Sequence, residues 1–148
     1  MYPLNTWRTT YIAPLLALRT LGSMFRVTAM SDNTNITING IPWAQVQAMS
    51  YKDTLLAVAS VISADKPISV AQFSPSITFD DISSDPFMIM LSPIQLPRKE
   101  ITFPLYSYTT IDRLFINVVA YTSTVSQITV DGANVSSYFI PVESAPIY

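Results

Sequence analysis

The chain has 148 residues, 49 % of them hydrophobic and only 12 % charged, with a net charge of −2 at pH 7 and neither histidine nor cysteine. A chain of this length buries roughly two-thirds of the surface its unfolded form exposes, so a single domain over 1–148 needs no disulfide or metal to hold it. The missing residue types exclude thiol chemistry, thiolate metal sites and histidine general bases, and the scattered cations argue against nucleic acid, whose phosphates need clustered Lys and Arg.

The charged share is about half the usual one, which leaves Ser, Thr, Asn and Gln to solvate the surface, as is common in secreted β proteins. No apolar stretch reaches the roughly 18 residues of a membrane span. The first apolar run, Ile12 to Leu18, is interrupted by Pro14, followed by Arg19 and closed by no small-x-small cleavage site. It is expected to be a strand and not a signal-peptide core.

Phe25, Val27 and Ala29 then alternate with Arg26, Thr28 and Met30, and Ile36 and Ile38 with Asn35, Thr37 and Asn39. Such period-two runs are strands with one buried face. Asn39-Gly40 is a tight-turn signal, because both central positions of a type I′ turn need positive φ. Leu55, Val58, Ala59 and Ile62 carry helical spacing, but Leu56, Val58, Ser60 and Ile62 read equally as a buried strand ending at Ala64-Asp65-Lys66-Pro67. The strand is the reading preferred. Further on, Leu114, Ile116, Val118 and Ala120 alternate again, then Ile128 and Val130, before a second turn signal at Asp131-Gly132. The 11 prolines fall mostly between these runs, where they punctuate loops and strand ends.

The pattern predicts an all-β, mainly antiparallel β-sandwich with short hairpins. Residues 25–40 are echoed by residues 116–132: a strand, a polar link, and a second strand ending in Asn-Gly or Asp-Gly. Two related β units are one reading of that echo, and convergent strand–turn composition the other.

In order, the segments Tyr2-Pro-Leu-Asn-Thr-Trp7 with Tyr11, Arg19-Thr-Leu-Gly22, Phe25-Arg-Val27, Asp32-Asn-Thr34 and Ile36-Thr-Ile-Asn-Gly40 resemble the IgGFc-binding protein N-terminal domain family. So do Lys66-Pro-Ile-Ser-Val-Ala-Gln-Phe73, Asp85-Pro-Phe-Met-Ile-Met-Leu-Ser-Pro-Ile-Gln95, Ile116-Asn-Val-Val119 and Ile128-Thr-Val-Asp-Gly132. The resemblance covers nearly the whole chain through the order and spacing of its pieces. It implies a secreted or cell-surface mosaic protein in which the domain serves binding or adhesion. Relatives generally carry a cysteine-containing segment ahead of the Pro-x-x-x-Trp region, so the chain is expected to lack an N-terminal portion of the parent domain. Some relatives also place a cysteine in the loop 74–85, which here holds none and is rich in acidic and hydroxyl residues.

Several constellations invite chemistry. Ser63-x-x-Lys66 matches a Ser-x-x-Lys nucleophile motif, which works only with both side chains on one helical turn. Pro67 pushes Lys66 towards extended backbone instead, so a turn between strands is expected. Asp80, Asp81 and Asp85 form the acidic cluster, the place for calcium if the chain held any; lacking EF-hand spacing, they read as a solvated loop. Asn35-Ile-Thr37 and Asn134-Val-Ser136 are N-glycosylation sequons beside tight turns. Tyr106, Tyr108 and Tyr121, in Ser/Thr-rich surroundings, are candidates for a binding face, since tyrosine gives large contact area at small entropic cost.

The expectation is therefore a non-catalytic extracellular binding or adhesion module, glycosylated and without cofactor. Its ligand would be a protein or a glycan, and its neighbours other domains of the same chain. The alternative is a structural assembly domain that buries one sheet face against those neighbours.

Overall fold

The computed structural model describes residues 3–81, 86–104 and 114–142. Seven strands form one sheet: β1 (Arg8–Ala13), β2 (Ser23–Ala29), β3 (Thr34–Ile38), β4 (Ile41–Val46), β5 (Tyr51–Leu56), β6 (Ser60–Phe73) and β7 (Met88–Met90). All pair antiparallel. β8 (Thr129–Val130) and β9 (Ala133–Asn134) make a separate small hairpin.

β6 organises the sheet. Along one edge, its residues Ile62–Ala64 pair with β3 and its residues Ile68–Phe73 with β2. β4 and β5 repeat that end-to-end arrangement outside β3 and β2. Along the other edge β6 meets β1 and then β7. The result is two four-stranded halves, β4-β3-β6-β1 and β5-β2-β6-β7, sharing one long strand.

The halves separate where β6 passes Asp65-Lys66-Pro67. On one side residues 30–33 step out of the sheet between β2 and β3. On the other, the pairing of β1 jumps from Thr10↔Ser63 to Arg8↔Ile68, so a short stretch of β1 spans a longer stretch of β6. Unequal pairing of this kind bends a strand and lets it pass from one sheet layer to another. The absent N–H of Pro67 therefore falls where β1 offers no ladder partner, the position at which a sheet tolerates proline.

The bend brings the two inner faces together. Phe25, Val27, Ala29, Ile68 and Val70 from one half share a single core with Tyr11, Ala13, Ile36, Val46 and Ile62 from the other. The Tyr11 hydroxyl donates to the Ile68 carbonyl at 2.8 Å inside that core, fastening the two halves at the bend. Entry to β2 needs a glycine: Gly22 has φ +96°, and a Cβ there would lie 2.4 Å from the Leu56 carbonyl oxygen. The all-β antiparallel class and the layered core match expectation, with one continuous sheet bent over itself supplying both layers.

Local expectations change in several places. Of the run Ile12 to Leu18 only Ile12 and Ala13 lie in a strand, at the end of β1. The stretch from Leu55 to Ile62 is neither helix nor one strand: β5 ends at Leu56 and β6 begins at Ser60. β6 then runs on through Ala64-Asp65-Lys66-Pro67 instead of turning there. Tertiary bonds hold those residues extended. Lys66 Nζ donates to the carbonyls of Asp32 and Asn33 at 2.6 and 3.2 Å, and the Asp65 carboxylate accepts from the Asn35 backbone and side chain.

The alternating run at 114–120 forms no strand. Leu114, Phe115, Ile116, Val118 and Val119 are all exposed, so neither parity has a covering face. The echo between residues 25–40 and 116–132 is carried by the turns. Asn39-Gly40 has φ +53° and +77°, and Asp131-Gly132 has +48° and +84°, as type I′ hairpins require.

Candidate functional site

Every second residue of a strand faces away from the core, so the registers of the bent sheet define two outer faces of opposite chemistry. On the half β5-β2-β6-β7, cross-strand neighbours form one apolar row of Leu55, Met24, Phe73 and Met88. Leu55 is 48 % exposed, Met24 41 % and Met88 56 %. The next row places Asp53, Arg26, Ala71 and Met90 side by side, and the third places Tyr51, Thr28 and Ser69.

Arg26 is the centre of this face. Its Nε and Nη2 donate to the two carboxylate oxygens of Asp53, each at 2.8 Å. Its guanidinium lies 3.9 Å from the Tyr51 ring centroid and 5.4 Å from that of Phe73. The planar fork thus satisfies a carboxylate in its own plane and presents its faces to aromatic rings. The hydrogen bonds from Arg26 hold the Asp53 carboxyl below its ordinary value, and Asp53 in turn raises the Arg26 guanidinium. The charge is balanced, and the guanidinium is held between a carboxylate and two aromatic rings beside the apolar row.

Beside Arg26, a shallow depression of about 190 Å³ opens between Phe73, Met88 and Met90 over a floor of Ala71. That volume is smaller than the roughly 300 Å³ at which small-molecule pockets begin. It suits one inserted side chain. Tyr, Phe, Met and Arg are the residue types enriched at the cores of protein interfaces.

The outer face of the other half is polar along Gln45, Asn35 and Asp65, beside an open depression of about 500 Å³ lined by Asn35, Thr37, Pro42, Trp43 and Ala44. The carboxamide of Gln45 donates to Asn35 Oδ1 at 3.0 Å, and Asn35 Nδ2 donates to Asp65 Oδ2 at 2.8 Å. The bond from Asn35 Nδ2, together with that from the Asn35 backbone N–H to Asp65 Oδ1 at 2.9 Å, holds the Asp65 carboxyl below its ordinary value. Thr37, Ser63 and Thr10 continue that face in register. Beside the amides, Gln47 Nε2 donates to Asn33 Oδ1 at 3.1 Å. Trp43 lies at a register irregularity of β4 and packs against the core, with Lys52 Nζ 5.3 Å from its ring centroid.

The residues singled out from sequence are dispersed. Ser63 and Lys66 lie on extended β6, three positions apart and hence on opposite faces, with Lys66 bonded to carbonyls as above. Asp81 is exposed at φ +56°, while Asp85 and the Asp80 side chain lie outside the described residues. Among the described residues no group of three or more Asp or Glu is placed to hold a metal. Tyr121 is exposed and its carbonyl accepts from the Thr124 backbone and hydroxyl. Tyr106 and Tyr108 lie outside the described residues. Asn35 and Asn134 are both exposed. No described helix is long and apolar enough to cross a membrane.

The face around Arg26 was not singled out from sequence. Its signal is present: Met24, Leu55 and Met88 place apolar side chains at the outward parity of strands whose inward parity is already filled. That parity becomes visible only once the register is known.

The bent antiparallel sheet, with an apolar, aromatic row on one outer face, defines an all-β domain. The family model described as IgGFc binding protein matches residues 1–148, the whole chain. The chain belongs to the IgGFc binding protein family. No match was found among curated proteins or solved structures.

Proposed function

We propose that this chain is a non-catalytic, extracellular binding module of a larger secreted or cell-surface protein, and that it grips a protein partner with the outer face of β5, β2, β6 and β7. The observation that carries the proposal is the apolar row Leu55–Met24–Phe73–Met88, exposed at Leu55, Met24 and Met88, beside the ion-paired Arg26. Exposed apolar groups arranged contiguously across four strands mark an interaction surface, whereas scattered ones do not. A non-catalytic role is supported by the lack of His and Cys and by the separation of Ser63 from Lys66 across β6. An extracellular setting is supported by the family and by a surface solvated with hydroxyls and amides.

A second reading, a structural assembly domain, is favoured by the exposed apolar stretch Leu114–Val119. The two separate in one pair of measurements, light scattering after size exclusion and titration with immunoglobulin Fc, the probe that the family's name supplies. A binding module stays monodisperse and binds Fc saturably. Concentration-dependent self-association without Fc binding overturns the first reading in favour of the second.

A further inference from the structure

The two sequons are built differently. Asn35 sits in mid-strand, clasped by groups distant in sequence: Asp65 takes its Nδ2–H and Gln45 donates to its Oδ1. Asn134 closes a hairpin whose bonds are all local. Its Oδ1 accepts from the Ser136 hydroxyl at 2.6 Å and from the Ser136 backbone N–H at 3.0 Å. Its Nδ2 donates one hydrogen to the Ser126 carbonyl at 2.8 Å, and the hairpin is completed by Val135 N–H on the Ile128 carbonyl.

We propose that Asn134 is an N-glycan acceptor whose own sequon hydroxyl and hairpin hold the carboxamide ready for transfer. Two donors on Oδ1 draw electron density away from Nδ2 and make its remaining hydrogen more acidic. The donor is a lipid-pyrophosphate-linked oligosaccharide. The Nδ2–C1 bond forms as the C1–O bond to the pyrophosphate breaks, the electron pair leaves with the phosphate, and one amide proton passes to a base. The other N–H keeps its bond to Ser126, so the folded hairpin accepts the product unchanged. Hairpins form in microseconds while chains emerge at about 5–20 residues per second, so this local turn can be sampled many times once Tyr138 has emerged, with no distant segment required.

The inference rests on the extracellular reading, since transfer happens in the secretory pathway. Supplying an export signal in the test removes that dependence. The full chain, with the signal added, is translated in the presence of microsomal membranes, and each site's occupancy is read by peptide mapping after amidase release in heavy-oxygen water. Asn134 is expected to be occupied, and Ser136→Ala to abolish that. Gly132→Ala leaves the sequon intact but strains the turn at φ +84°. It is expected to lower Asn134 occupancy about twofold or more, with occupancy at Asn35 unchanged. Because the product is read without export, misfolding of a variant does not hide the result. A bare Asn134 in the unaltered chain overturns the proposal. Occupancy indifferent to Gly132→Ala overturns the role of the preset turn.

Discussion

The two halves of the bent sheet share β6 and a core, yet their outer faces have been given different work. One carries Leu55, Met24, Phe73, Met88 and Tyr51 around a neutralised Arg26. The other carries Gln45, Asn35, Asp65, Thr37 and Ser63, whose hydrogen bonds run among themselves. The first face gains by being covered, since water removed from apolar surface contributes about 25 cal/mol per Å². The second gains nothing of the kind, because each covered amide or carboxylate needs a replacement partner. In a chain with so few charges, this division between amide and apolar faces is what separates the proposed contact surface from a solvated one.

The comparison assumes that the halves fold as one body, and the largest expected effect tests that. Phe25→Ala removes a fully buried ring from the shared core and is expected to cost about 3–5 kcal/mol. Chemical denaturation should show a single transition shifted as a whole. Two separated transitions would mean that the halves are independent and the shared core is not their link. Tyr11→Phe sharpens the point at the bend: losing the buried hydroxyl's bond to the Ile68 carbonyl is expected to cost about 0.5–1.5 kcal/mol.

Smaller effects distinguish the outer faces. Asp53→Asn breaks the bidentate pair with Arg26. With both side chains more than a third exposed, solvent screening limits the loss to about 1 kcal/mol or less. The carboxyls of Asp53 and Asp65 both lie below their ordinary value of 3.8. Their contribution is therefore complete above that value and is lost as the pH falls through the depressed ones. Melting curves between neutral pH and strong acid should show stability dropping on the acid side, and the drop should be smaller in Asp53→Asn. Met24→Ser, on the apolar row, is expected to change stability by no more than about 0.5 kcal/mol. A larger loss by thermal denaturation would show that the row is packed for stability and not presented for a partner.

Much of the sheet was legible because its signals are local. The alternation Phe25–Val27–Ala29 gave β2, Ile36–Ile38 gave β3, and Asn39-Gly40 gave the hairpin turn, each within one short run of residues. What failed depended on distant partners. Asp65-Lys66-Pro67 has the composition of a turn, yet it stays extended because Lys66 reaches Asp32 and Asn33 and Asp65 reaches Asn35, some thirty residues away in the chain. Residues 114–120 have the pattern of a strand, yet no described strand pairs with them, and alternation has meaning only against a covering face. The candidate site was the least legible part. Its residues come from four strands, and nothing links Leu55, Met24, Phe73 and Met88 until the register sets them in one row.

The central claim, that the partner is gripped by one outer face and not the other, is tested most directly by Fc binding to two charge-inserting variants. Met24→Lys alters the apolar row and Thr37→Lys the polar face, both at outward positions that leave the core intact. Affinity is expected to fall at least about tenfold, some 1.4 kcal/mol, in Met24→Lys and to change little in Thr37→Lys. Loss confined to Thr37→Lys, or equal binding by both variants and the unaltered chain, would contradict the assignment.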